Sequence, residues 1–213
     1  MDWHSWHDQY DRPDSWPARR LRVVRERIAV VLDGAAPGPL RVVSLCAGQG
    51  RDLLGVLADH PRRADVRARL VELDQGNAAV AREAASAAGL SGVEVVTEDA
   101  ALTDHYADLV PADLVLACGI FGNISDDDIH RTVGFCAELC ATGGTVVWTR
   151  HRNAPDRVPL ICEWFEQNGF TRTWLSAPDA EYGVGTHRLT TPPRPLRRGE
   201  TMFTFVGYEN LPG

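Results

Sequence analysis

Two glycines and two carboxylates set the chemistry open to this sequence. Gly48 and Gly50 lie in "VVSLCAGQGRDLL" (42–54), where an apolar, β-branched run breaks into Ala47-Gly48-Gln49-Gly50 and a helical pattern then opens. A strand, a glycine turn and a helix let backbone approach a ligand closely, with N–H groups free at the helix start. Glu72 ends the next strand in "LVELD", 22 residues after Gly50. An acid there can accept both hydroxyls of a ribose. Asp99 follows the third strand in "VVTEDAAL", placed to take an amino N–H from a purine edge. The dinucleotide pattern G-x-G-x-x-G fails at Leu53, which disfavours a pyrophosphate. A ribose acceptor and a purine acceptor without a pyrophosphate loop point to an adenosine with a compact tail.

These residues need a scaffold that brings several strand ends together. Residues 17–33, "PARRLRVVRERIAVVLD", read as an amphipathic helix with Leu21, Val24, Ile28 and Val31 on one face and the arginines of 12–27 solvated. Strands follow at 41–46, 66–72, 93–97, 112–118 and in "GGTVVWTR". Helices are expected near 51–59, in "GNAAVAREAASAAG", after Ser125 and in "VPLICEWFEQNG". Asp126 to Asp128 read as helix-start dressing behind a Ser125 cap. "FTRTWLSA" and "TMFTFVGY" then read as two strands with no helix between them, joined by a long 177–200 connection. Strands spaced by helices predict an α/β, doubly wound, mostly parallel sheet with right-handed crossovers. The last two strands are expected to pair antiparallel.

Composition narrows the function. The chain has 213 residues, enough for one domain with its own core. All 22 basic residues are arginines. Without lysine there is no Schiff base, no imine-held pyridoxal phosphate and no P-loop lysine. The net charge of −7 argues against nucleic acid as a partner. No run is long enough to span a membrane, and "MDWHSWHDQYD" is not a secretory signal. Five cysteines at irregular spacing fit a reduced, cytoplasmic protein. Cys136 and Cys140 lie four apart on one helix and read as core.

Residues 41–150 resemble the class I S-adenosylmethionine-dependent methyltransferases, on "VVSLCAGQG", "RLVELD", "VVTEDA", "ADLVLACGIFGNISDDD" and "GGTVVWTR" in family order. The resemblance implies a seven-stranded Rossmann-like sheet, with "TMFTFVGY" as an antiparallel seventh strand between strands five and six. It implies one methyltransferase domain over 1–213. Residues 1–35 would form a helical arm acting as a lid, 40–150 the cofactor core, and 151–213 the remainder with a substrate-side loop. It implies S-adenosyl-L-methionine as cofactor and S-adenosyl-L-homocysteine as product. Ala47, Gly48, Gln49 and Gly50 would pass the methionine moiety. Glu72 would hold the ribose and Leu73 pack on adenine. Asp99 with the Ala100 N–H would read the adenine edge, and Cys118 and Gly119 would floor the pocket. Cys46 departs from the acid many members carry there.

Methyl transfer is an in-line displacement that mostly needs alignment and water exclusion. The loops over the strand ends should therefore define the acceptor. "CGIFGN" lacks the Asn/Asp-Pro-Pro-Tyr/Phe of many amine and nucleobase enzymes. "TRHRN" lacks the second acid of a magnesium-dependent catechol type, and a plant-type base histidine would fall at Gly122. The candidate acceptor walls hold Trp3, His4, Trp6, His7, Tyr10, Phe121, Asn123, Arg150, His151, Arg152, Tyr182, His187 and Arg188. His151 and Tyr10 are the candidate catalytic residues. The expected partner is a small-molecule acceptor, O- or N-methylated without metal, in a possible homodimer. An RNA or protein methyltransferase using a strip of Arg19, Arg20, Arg194, Arg197 and Arg198 is the alternative. A non-catalytic cofactor-binding protein and a nicotinamide oxidoreductase stand behind it.

Overall fold

The computed structural model describes residues 8–12, 14–207 and 211. Helix α1 (Trp16–Gly34) starts at Ser15, whose hydroxyl accepts the Ala18 N–H, with Pro17 in the first turn. Val24, Ile28 and Leu32 form its buried line, and Leu21 and Val31 flank it half-buried. The chain continues through β1 (Leu40–Leu45), α2 (Leu53–Leu57), β2 (Val66–Val71), α3 (Gln75–Ala87), β3 (Val93–Val96) and β4 (Ala112–Ala117). Then come α4 (Asp126–Leu139), β5 (Cys140–His151), α5 (Val158–Gln167), β6 (Phe170–Leu175) and β7 (Tyr182–Leu189).

The sheet order is β3-β2-β1-β4-β5-β7-β6. Strands β1 to β5 are parallel, and β7 runs antiparallel to both β5 and β6. This is the doubly wound, seven-stranded arrangement the alternation predicted. The central strand β1 shows why the run is continuously apolar: Val42 packs with α1, α2 and α3, while Val43 packs on the α4 and α5 side. Chain order reverses between β1 and β4, which opens a crevice above their carboxyl ends. Among the described residues no helix is long and apolar enough to cross a membrane.

The seventh strand is not "TMFTFVGY" but Tyr182–Leu189, inside the stretch expected to be a loop. Its glycines hid it, since isolated glycines read as breakers. They are there because the sheet face is crowded. A Cβ at Gly185 would lie 2.4 Å from Trp148 Cε2, and one at Gly183 would lie 2.4 Å from Val158 Cγ2. Trp148 is fully buried and donates its indole N–H to His187 Nδ1 at 3.0 Å. His187 in turn stacks on Phe165, with centroids 4.6 Å apart.

The apolar alternation of "TMFTFVGY" instead builds a terminal strap. Residues 194–207 climb the α4 side to the carboxyl end of the sheet. Arg197 pairs with the buried Glu138 at 2.8 Å and lies over Phe135. Thr201 bridges Leu102, the Met202 N–H donates to Ala101 O, and the Thr204 N–H donates to Asp128 Oδ2. Asp128 is therefore a buried anchor for the strap, not helix dressing.

The arginine face of α1 is only partly left to solvent: Arg19 and Arg22 are exposed, while Arg25 and Arg27 are half-buried. Arg25 donates through Nε and Nη2 to the Arg51 carbonyl at 2.8 and 2.6 Å, bolting α1 to the glycine turn. The Arg27 guanidinium lies 4.5 Å over the Trp174 ring. The sheet beneath α1 offers carbonyls and rings that a long guanidinium stem can reach.

Candidate active site

A cavity of about 850 Å³ sits above the carboxyl ends of β1 to β5. That is within the usual range for a small-molecule site. Its base is the turn after β1. Cys46, Gly48 and Gly50 all have left-handed backbones, with φ of 48°, 56° and 66°. The alternation folds the chain back so that the Ala47 N–H donates to Val71 O, while the Gly48 N–H donates to Glu72 Oε2 at 2.7 Å. Glu72 Oε1 accepts the Asp74 N–H at 2.9 Å, so one carboxylate ties the β1 turn to the β2 turn. Gln49 braces the same corner: Nε2 donates to Asn77 Oδ1 at 3.3 Å, and Oε1 accepts from Arg51 Nε at 2.8 Å.

Asp99 and Ala100 enter from the turn after β3, where Asp99 Oδ1 accepts the Ala101 N–H at 2.9 Å. Glu72 and Asp99 line one cavity, together with Leu73, a residue 68 % exposed. From β4 come Cys118 and Gly119. The Gly119 N–H donates to Thr149 Oγ1 and its carbonyl accepts from Asn123 Nδ2, both at 2.8 Å. Asn123 O accepts from the Val206 and Gly207 N–H groups, so the strap is wired to the cavity floor. Burial raises both the Cys46 and Cys118 thiols well above their ordinary range, so neither is a thiolate.

Tyr10, Trp16, Arg20, Asn123, Arg150, His151 and Phe205 also line the cavity. Tyr10 accepts from Arg20 Nη2 at 2.9 Å, and burial raises its hydroxyl's pKa against the lowering effect of that guanidinium. Burial, and then the Arg150 cation, depress His151 to about 4. At neutral pH its imidazole is uncharged and weakly basic.

Of the ten residues expected to bind cofactor, nine line this cavity: Ala47, Gly48, Gln49, Glu72, Leu73, Asp99, Ala100, Cys118 and Gly119. Gly50 does not. It is buried beneath the turn, where a Cβ would lie 2.7 Å from Leu54 Cδ1 and 2.9 Å from Leu70 Cδ2, so its part is packing. At the next helix start the Asp52 carboxylate accepts the Leu53 N–H, so that donor is taken by the chain itself. Trp3, His4, Trp6 and His7 lie outside the described residues. Phe121, Arg152, Tyr182, His187 and Arg188 fall outside the cavity wall. Phe121 and His187 are core, Arg152 pairs with Asp156, and Arg188 bonds the Gly143 carbonyl.

Sequence reasoning placed Arg20 on a surface strip rather than in the cavity wall, and missed Asp52, Phe203 and Phe205. Asp52 is half-buried, and desolvation raises its pKa, with the Leu53 N–H, Arg25 and Arg20 acting the other way. A carboxylate directly after the glycine turn, in "GQGRD", was the available signal.

No protein-family profile matches the sequence, and no curated protein matches it. Solved structures do. An O-methyltransferase family protein from Burkholderia thailandensis superposes with a TM-score of 0.62 at 18% identity, over 88% of this chain and 60% of that one. The chain thus spans about three-fifths of that structure's length. Magnesium protoporphyrin IX methyltransferase from Synechocystis PCC 6803, solved with bound S-adenosylmethionine, gives 0.61 at 14% identity over 79% of each chain. A 1,6-didemethyltoxoflavin N1-methyltransferase from Burkholderia thailandensis, with its acceptor and S-adenosylhomocysteine bound, gives 0.59 at 18% over 88% of this chain and 86% of that one. The fold is the class I methyltransferase fold. In that fold the cavity occupies the crevice beside β1, where the chain's carboxylates from β2 and β3 converge.

Proposed function

We propose that the protein is an S-adenosylmethionine-dependent methyltransferase acting on a small organic acceptor. The observation that carries this is convergence: Glu72 and Asp99, from two neighbouring strand ends, share one cavity with the Cys46–Gln49 turn. The residues fit the cofactor. Glu72 would take the ribose hydroxyls, Leu73 the adenine face, and Asp99 with the Ala100 N–H the adenine edge. Asp52, half-buried in the cavity wall, would supply the anion missing at Cys46 and face the methionine ammonium. When bound, S-adenosylmethionine supplies an electrophilic methyl on a sulfonium.

The chain's own residues then position an acceptor and exclude water. Tyr10 and Trp16 close the cavity from the amino-terminal side, and Phe203 and Phe205 close it from the carboxyl-terminal strap. We read the segment before α1 as a lid, held by the ion pair Asp11–Arg51 and by the Arg19 guanidinium, which donates to the Asp14 carbonyl. His151, being neutral, orients the acceptor by hydrogen bonding more readily than it removes a proton, and Tyr10 serves the same wall. One methyl acceptor printed for a related fold, 1,6-didemethyltoxoflavin, is a small ring compound, which favours the small-molecule reading. So does the pairing of the would-be basic strip: Arg19 with Glu181, Arg197 with Glu138 and Arg198 with Asp104. The five cysteines are free thiols, in keeping with a reducing compartment.

Isothermal titration with S-adenosylmethionine tests the reading. Saturable one-site binding is expected, with no competition from NADH. Folded protein that takes up no cofactor would end it.

A further inference from the structure

Trp16, Val30, Leu73, Val80, Leu102, Phe205 and Val206 are the large apolar side chains most exposed among the described residues. Three of them, Trp16, Leu73 and Phe205, line the cavity. Apolar surface gathered at the mouth of a cavity marks where a ligand is covered. Leu73 sits beside Glu72 at the adenosine end. Trp16 and Phe205 come from opposite ends of the chain, at the start of α1 and in the strap, and belong to the remaining volume.

The α1 wall has a second property. The Arg20 guanidinium lies 5.0 Å over the Trp16 ring and donates to Tyr10 Oη, and the Arg51 guanidinium lies 5.7 Å over the Tyr10 ring. Cations and rings therefore alternate along one side of the cavity. Charge is divided across the site: Glu72, Asp74 and Asp99 follow β2 and β3, whereas Arg20, Arg51 and Arg150 come from α1, the first turn and β5. Asp52, at the foot of the ladder, offsets part of this positive charge. The Arg20 field reaches both Tyr10 and the Cys118 thiol on the floor, favouring the ionised form of each.

We infer that the acceptor is a flat aromatic molecule bound as its oxyanion, with the oxygen beside the Arg20 guanidinium and the ring against Trp16 and Phe205. The inference rests on reading the cavity as a methyl-transfer site. A guanidinium favours the ionised form of a neighbouring phenol or acid and stacks on a ring plane. The proton leaves to solvent on binding, so no strong base is required, which suits a neutral His151. The acceptor oxygen then forms its bond to the methyl carbon with its own lone pair, while the carbon–sulfur bond breaks and its electron pair stays on sulfur.

The probes are 7-hydroxycoumarin, whose phenol and phenolate absorb differently, and 4-hydroxybenzoate, added to protein saturated with S-adenosylhomocysteine. Wild-type protein should bind the coumarin as phenolate, with the phenol at least about tenfold more acidic in the site than free in water. Arg20→Lys should keep most of that shift and Arg20→Gln should abolish it. Phe205→Ala should weaken coumarin binding about tenfold and leave S-adenosylhomocysteine affinity within about twofold. Cyclohexanol should not compete. Failure of both probes to bind cofactor-loaded protein overturns the inference, as does an unshifted coumarin pKa or a shift that survives Arg20→Gln. Failure of S-adenosylhomocysteine itself to bind overturns the methyltransferase reading, and this inference with it.

Discussion

Glu72→Gln separates a ligand contact from a scaffold contact at one residue. In the free protein the two Glu72 oxygens accept the Gly48 and Asp74 N–H groups at 2.7 and 2.9 Å. A glutamine keeps the shape but has a single accepting oxygen, so one backbone donor faces an NH2 group. The ribose loses a charged acceptor at the same time. A hydrogen bond to a charged group contributes roughly 1.5–3 kcal/mol, so S-adenosylhomocysteine should bind roughly 10- to 100-fold more weakly. Calorimetry with S-adenosylhomocysteine and its 2′-deoxy analogue on both proteins closes a thermodynamic cycle. The analogue should bind wild-type protein poorly yet lose no more than about threefold on the substitution. Equal losses for both ligands would mean that Glu72 only braces the turn, and the ribose assignment would be refuted.

Three further outcomes are expected. Asp52→Asn should weaken S-adenosylmethionine about tenfold or more while adenosine, which has no ammonium, binds unchanged in calorimetry; parallel losses would remove Asp52 from the methionine end. Gly185→Val should lower unfolding free energy by about 1–3 kcal/mol in urea, because its Cβ meets the Trp148 indole at 2.4 Å, and an unchanged midpoint would contradict the packing described for β7. Burial and then Arg172 depress His187 to about 3. Its folded pKa lies below the unfolded value, so its contribution is intact above about pH 6.5 and is lost as pH falls toward 3. His187→Gln should flatten stability against pH in that window, by at most about 1.4 kcal/mol per pH unit, and an unaltered slope would show that His187 is protonated in the native core.

Most of the scaffold was legible because its signals are local. Strands β1, β4 and β5 announce themselves as apolar runs and β2 and β3 as alternating ones, and Ser15 and Ser125 mark helix starts by capping chemistry any sequence displays. Glu72 and Asp99 could be found because strand ends in a parallel sheet point to one crevice. What stayed hidden depends on contacts distant in sequence. Gly183 and Gly185 look like breakers until Val158 and Trp148 are placed above them. "TMFTFVGY" has the period of a strand, yet β5 and β6 already pair with β7, leaving it to bridge Leu102 and reach Asn123. Arg20 and Arg25 match the exposed arginines of α1 in type and spacing; only the position of the glycine turn shows which two point inward.

The measurement that bears most directly on the central claim is a crystal structure with S-adenosylhomocysteine. The ribose hydroxyls should lie within hydrogen-bonding distance of Glu72 and the adenine edge against Asp99 and the Ala100 N–H, with the sulfur above Cys118 and Gly119. A ligand lodged elsewhere, or adenine held without either carboxylate, would contradict the account.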